Sequence, residues 1–192
     1  MKTFQLNGEL RSEHGKKATK SVRKGELVPC NLYGLGENVL FTVLEKDAQK
    51  LIYSPDTSVV ELTIGKKSKK AVVKECQFHP VTDRIIHLDF LEVNEKKPVT
   101  VEIPVKLQGH AEGVKLGGKL SLEKRKLKVK GVYTAIPERI EIDVTELGIG
   151  KKITVGDIQI KGLELMNPKD VCVAQVKATR ASASAAAAPT ES

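Results

Sequence analysis

The segment Gly15-Lys16-Lys17-Ala18-Thr19-Lys20-Ser21-Val22-Arg23-Lys24-Gly25 carries five cations and no acid. Wound as a helix at about 100° per residue, it places Ala18 and Val22 on one side. Lys16, Lys20 and Arg23 then fall within about 60° of one another on the opposite side, flanked by Thr19 and Lys24. Gly25 suits a left-handed C-terminal cap, with Pro29 beyond it. Such a helix shows an apolar stripe to a supporting surface and cations to an anion. It is too short to hold its form alone. The chemistry it offers is phosphate contact, against the plainer alternative of a solvated basic face.

A second constellation is Gln77-Phe78-His79-Pro80 followed by His87-Leu88-Asp89-Phe90. Strand residues two apart share a face, so Gln77 pairs with His79 and His87 with Asp89. The turn Pro80-Val81-Thr82-Asp83-Arg84 would join the strands as a hairpin. That brings together an amide, two imidazoles and a carboxylate, a set of donors and acceptors suited to base edges or ribose hydroxyls. Phe78, Leu88 and Phe90 are expected to point inward. His79, His87 and Asp89 could also form a metal triad, but no strong metal-ligand spacing accompanies them. Cys76 and His79 fall on opposite strand faces, which disfavours a nucleophile pair. A third run, Lys124-Arg125-Lys126-Leu127-Lys128-Val129-Lys130, reads as a strand with a solvated cationic face, ahead of a second phosphate patch.

Other chemistry is not supported. Gly118-Lys119 is followed by Leu120, so no P-loop is completed, and Gly34-Leu35-Gly36 makes no dinucleotide fingerprint. There is no Gly-x-Ser-x-Gly, and no confined carboxylate pair stands out. Nothing argues for an enzyme, a cofactor or a small-molecule substrate. The net charge of +8 on 192 residues, with a pI near 9.3, favours an anionic partner, nucleic acid first. Four Phe, three Tyr and no Trp argue against a binder that stacks unpaired bases. Cys30, Cys76 and Cys172 form no Cys-x-x-Cys and read as reduced thiols of a cytosolic protein. No secretory leader or membrane span is evident.

The elements that must position these residues are mostly strands. Residues 1–93 read as six short strands with one or two helices, a small β-barrel. Leu44, Ala48, Leu51 and Ile52 mark the second helical face. A polar run ending in Pro98 reads as a linker. Residues 97–177 alternate strictly: Val99, Val101, Ile103, Val105 and Leu107, then Ile140, Ile142 and Val144, with glycines between. That is expected to be a C-terminal antiparallel β-rich domain. Residues 178–192, rich in Ala and Ser, read as a disordered tail.

Taken in order, these motifs resemble a known family. Gly15-Lys16-Lys17-Ala18, Val22-Arg23, Gly25, Val28-Pro29, Tyr33-Gly34, Gln77-x-His79-Pro80 and His87-x-Asp89-Phe90 carry the first part of the likeness. Gly109-His110-Ala111-Glu112-Gly113, Gly117-Gly118, Ile136-Pro137, Leu147-x-Ile149-Gly150 and Asp157-Ile158 carry the second. The chain closely resembles the bacterial large-subunit ribosomal protein L-twenty-five family in its longer, two-domain form, also called the general stress protein Ctc family. Thr19, Ser21, Val22 and the pair Cys30-Asn31 depart from that pattern. The resemblance implies a barrel that binds the loop E region of 5S rRNA in the cytoplasmic ribosome, beside other large-subunit components. It implies RNA contacts from Arg11, Lys16, Thr19, Lys20, Arg23, Tyr33, Gln77, His79, His87 and Asp89, and no metal. Two alternatives stand beside it: a conditional, stress-related ribosome- or RNA-binding factor, and a metal-dependent enzyme using His79, His87 and Asp89.

Overall fold

A computed structural model describes residues 2–179 except 14, 37, 66, 96 and 161. The tail expected from residue 178 therefore lies, beyond Thr179, outside the described residues. The chain divides into two compact units, Met1–Val101 with Gly131–Glu138, and Glu102–Lys130 with Arg139–Ser192. The sequence reading drew the break at residues 94–97 and did not separate the segment 131–138. That segment joins the first unit: the Thr57 amide donates to the Glu138 carbonyl at 3.3 Å, and Lys2 pairs with Asp56 and Glu138.

The first unit is built on β1 (Lys2–Leu10), α1 (Lys16–Lys24), β2 (Leu27–Tyr33), β3 (Val39–Leu44), α2 (Glu45–Ile52), β4 (Ser58–Ile64), β5 (Lys67–Phe78) and β6 (Ile85–Glu92). The strands close into a barrel in the order β1-β3-β2-β6-β5-β4. Its β1–β4 and β2–β6 pairs are parallel and the rest antiparallel. Alternation makes the core: Val60, Leu62 and Ile64 of β4 meet Leu6, Leu32, Phe41, Leu88 and Phe90. The Phe41 and Phe90 rings lie 5.7 Å apart. β1 reaches the Phe41 ring only because residue 8 is Gly. A Cβ there would sit 2.6 Å from Phe41 Cδ2, and that ring is fully buried. Gly8→Ala is thus expected to destabilise the protein by about 1–3 kcal/mol through overpacking, read as a lower urea midpoint with an unchanged slope.

α1 is amphipathic as its spacing requires. Ala18, Thr19 and Val22 are half-buried, while Lys16, Lys17, Lys20, Arg23 and Lys24 are exposed. Its N-cap, Gly15, has φ 96°, a left-handed turn that glycine tolerates best. The expected left-handed cap at Gly25 is not observed. Gly25 has φ −88°, its amide donates to Val22 O, and the left-handed residue is Glu26, at φ 57°. The reversal comes one residue late because Glu26 must also accept from the Glu45 amide at 2.9 Å, which joins the start of β2 to α2.

α2 buries Ala48 and Leu51 in the barrel core. Its first residue, Glu45, is 8% exposed and takes two hydrogen bonds from the Arg84 guanidinium, one of them 3.0 Å from Nε. Those bonds, rather than the opposing burial, hold the Glu45 carboxyl below the ordinary glutamate value of 4.5. A carboxyl depressed in the folded state adds stability above its unfolded pKa and loses it as pH falls through the folded value. The wild type should lose stability on acidification from about pH 4.5 downward, and Glu45→Gln should flatten that dependence in urea titrations between pH 3 and 6.

The second unit carries most of β7 (Val99–Gln108), then α3 (Glu112–Lys115), β8 (Lys119–Leu122), β9 (Lys126–Gly131), β10 (Ile140–Asp143), β11 (Lys152–Thr154), β12 (Glu164–Leu165) and β13 (Cys172–Lys177). Two sheets form, β10-β7-β9-β12 and β11-β13-β8. The expected antiparallel pairing holds for β9–β12, β11–β13 and β8–β13, whereas β7 and β10 run parallel. The β8–β13 edge is tied by Glu123, which accepts from Lys177, Gln175 and Ser121 and is pulled down to about 2 by those bonds.

Candidate nucleic-acid interface

The candidate site is the outer wall of the barrel where β2, β6 and β5 adjoin. Cys30 and Leu32 of β2 are buried in the core, so Asn31 and Tyr33 face outward. Register then lines up the polar residues. Asp89 of β6 lies opposite Asn31 on one side and Glu75 on the other, while His87 lies opposite Gln77. Residues opposite each other on a ladder share a face. The wall therefore presents Tyr33, Asn31, Asp89, His87 and Gln77 together, as the sequence reading required of the last three. His87 Nδ1 is 3.7 Å from Asp89 Oδ1, with both side chains about a quarter exposed. The Tyr33 hydroxyl is pushed up, first by burial and then by the charges of Asp89 and Glu75, so it stays a neutral donor.

α1 packs against β2 and supplies the cations. Arg11, just past the end of β1, donates from Nη2 to Thr19 Oγ1 at 2.8 Å, and Thr19 donates onward to Gly15 O at 2.9 Å. The single Thr19 hydroxyl hydrogen is thereby used. Thr19 latches Arg11 to the helix instead of offering a free donor. Arg23 donates from Nε to Ile86 O at 3.2 Å, which seats it one residue from His87. Burial, then the nearby Arg11 charge, push the Arg23 guanidinium down. Among the described residues, no carboxylate pairs with Arg11, Lys16, Lys20 or Arg23. Cations held close together without acids form a surface that favours an anion.

Two expectations are corrected. Phe78 does not enter the core; it is 43% exposed, at the last residue of β5, where the strand gives way to the connecting turn. His79 does not stand in the row with Gln77. It starts the connecting turn, where its Nδ1 accepts from the Val81 and Thr82 amides at 3.3 Å. That bonding puts its proton on Nε2, which is left as an exposed donor beside the wall. His79, His87 and Asp89 therefore make no triad, and the described residues hold no group of three metal-ligating side chains. Cys30 is buried in the core and its thiol is pushed up by that burial.

Sequence reasoning missed Asn31 and Glu75. Asn31 meets Asp89 from a strand distant in sequence and Glu75 meets it across the β5–β6 hairpin after a register shift, so only the register reveals them. Asn31 carried one usable signal, its two-residue spacing from Tyr33. In the second unit, Leu127 and Val129 are fully buried, while Lys128 and Lys130 lie 3.8 Å from Glu102 and Glu164. Acids therefore answer these two cations of the run, whereas none answers those of α1 among the described residues.

Comparison with known proteins separates the two parts along similar lines. Residues 6–90 match the Ribosomal L25p family, and residues 98–180 match the C-terminal domain of ribosomal protein TL5. A protein of Porphyromonas gingivalis named large ribosomal subunit protein bL25 is 58% identical over 97% of this chain and 98% of its own. Proteins of the same name from Phocaeicola vulgatus and Bacteroides thetaiotaomicron are 49% and 47% identical, over 97% and 98% of this chain and 98% of theirs. A barrel and a second β-rich unit, matched in order by two ribosomal family models and end to end by these relatives, place the chain in the bL25 family of ribosomal proteins, a structural family and not an enzyme family.

Proposed function

We propose that the barrel binds 5S rRNA at its loop E region and so builds the chain into the large ribosomal subunit in the cytoplasm. The carrying observation is the junction of two chemistries on one surface. Unpaired cations of α1 adjoin a wall that offers an amide, an imidazole, a phenol and a carboxylate. The cations take phosphates, which fixes register without reading sequence. Asp89 repels phosphate and is useful only against donors such as base amino groups or ribose hydroxyls, so the wall supplies selectivity. All of these groups sit on regular elements, which suits a folded RNA whose shape is already set.

Chemical footprinting of 5S rRNA tests the placement. Protection confined to loop E on adding the protein is the expected pattern, and protection spread evenly along the RNA would refute it. Stoichiometric presence in salt-washed large subunits from unstressed cells is expected of a structural component. Appearance only under stress would favour the conditional factor instead.

A further inference from the structure

Two buried polar atoms in the described structure lack a hydrogen-bond partner, and both belong to this surface: Arg11 Nε and Asn31 Oδ1. One is a donor and the other an acceptor. They flank the same strand. The Arg11 amide donates to Leu40 O at 3.0 Å, and Leu40 lies opposite Asn31 in the β2–β3 register. Asn31 in turn lies opposite Asp89. Both side chains are half-buried. The far end of the Arg11 guanidinium is already held by Thr19 at 2.8 Å, and its charge already acts on Arg23. An unpaired buried donor and an unpaired buried acceptor on either side of Leu40 are each unfavourable, and pairing them relieves both.

We propose that Asn31 is a positioning residue for RNA binding, resting on the 5S rRNA reading above. Its carboxamide oxygen accepts from Arg11 Nε when an RNA phosphate takes the outer edge of the guanidinium. The closed chain Asn31–Arg11–Thr19–Gly15 then fixes the angle between the wall and α1, so that the Arg11 and Arg23 charges converge on one phosphate. In the free protein this bond is open. Asn31 therefore adds to affinity without adding to the stability of the free fold.

The test compares wild type, Asn31→Leu, Arg11→Ala and the double variant for 5S rRNA affinity and thermal midpoint. Asn31→Leu should weaken 5S rRNA binding by about tenfold, which is about 1.4 kcal/mol, while the free-protein midpoint holds or rises. The double variant should bind no more weakly than Arg11→Ala, as expected when one residue acts through another. In nitrogen-edited spectra, the Arg11 Nε–H signal should become protected on RNA binding in wild type and in Asn31→Asp, which keeps an acceptor, and not in Asn31→Leu. Unchanged affinity in Asn31→Leu, additive losses in the double variant, or a midpoint that falls in step with affinity would each overturn the proposal. Wild-type preference for 5S rRNA over tRNA reads the underlying proposal separately. If that preference is present and Asn31→Leu is silent, only the role of Asn31 fails.

Discussion

Changing Lys16, Lys20 and Arg23 together to Ala is expected to lower 5S rRNA affinity by about 100- to 500-fold in 0.1 M salt. The loss follows from counterion release. Each neutralised phosphate contributes about 0.7–0.9 to the log–log salt slope, or about five- to eightfold per cation between 1 M and 0.1 M salt. Three cations multiply to the quoted range. If about five cations contact phosphates in all, the wild-type slope is near −4, and the triple variant should flatten it by about 2 to 3. The loss should not come from unfolding. All three side chains are exposed, and among the described residues none joins an ion pair; the one contact removed is the Arg23 bond to Ile86 O. Titrations at several salt concentrations, with a thermal melt of each variant, check both parts.

Asp89→Asn is expected to act in the opposite register. A carboxylate that accepts from two base or ribose donors discriminates by about 1–3 kcal/mol, so 5S rRNA affinity should fall by about 5- to 150-fold. The salt slope should stay near the wild-type value, because no phosphate contact is lost. Binding to tRNA should hold or strengthen, since a negative charge leaves the wall. The ratio of the two affinities is therefore the sensitive quantity. Asp89 has no role in the core that would confuse the result: the neighbours Leu88 and Phe90 fill the barrel, while Asp89 faces outward.

What the sequence disclosed follows from the range of the forces involved. Alternation in β4 and β7, and the helical spacing of Ala18 and Val22, depend on neighbours along the chain, and both read correctly. The apolar–polar division of β9 read correctly for the same reason. Phe78 misled because it ends β5, where the two-residue pattern still looks intact in sequence but the chain turns away at His79. Gly25 misled because the position of the chain reversal is set by a bond to α2 that local spacing does not contain. Asn31 and Glu75 were invisible as site residues because they meet Asp89 only through β2–β6 and β5–β6 pairing. His79 was placed on the right hairpin, yet its imidazole is spent on capping the turn, a role its neighbours alone did not signal.

The central claim is that this surface recognises a particular folded RNA and does more than attract polyanions with its +8 charge. The most direct measurement is a gel-shift titration of the wild-type protein with 5S rRNA, challenged with excess tRNA at two salt concentrations. Binding is expected to survive the tRNA challenge at both. Binding to 5S rRNA no tighter than to tRNA would contradict it.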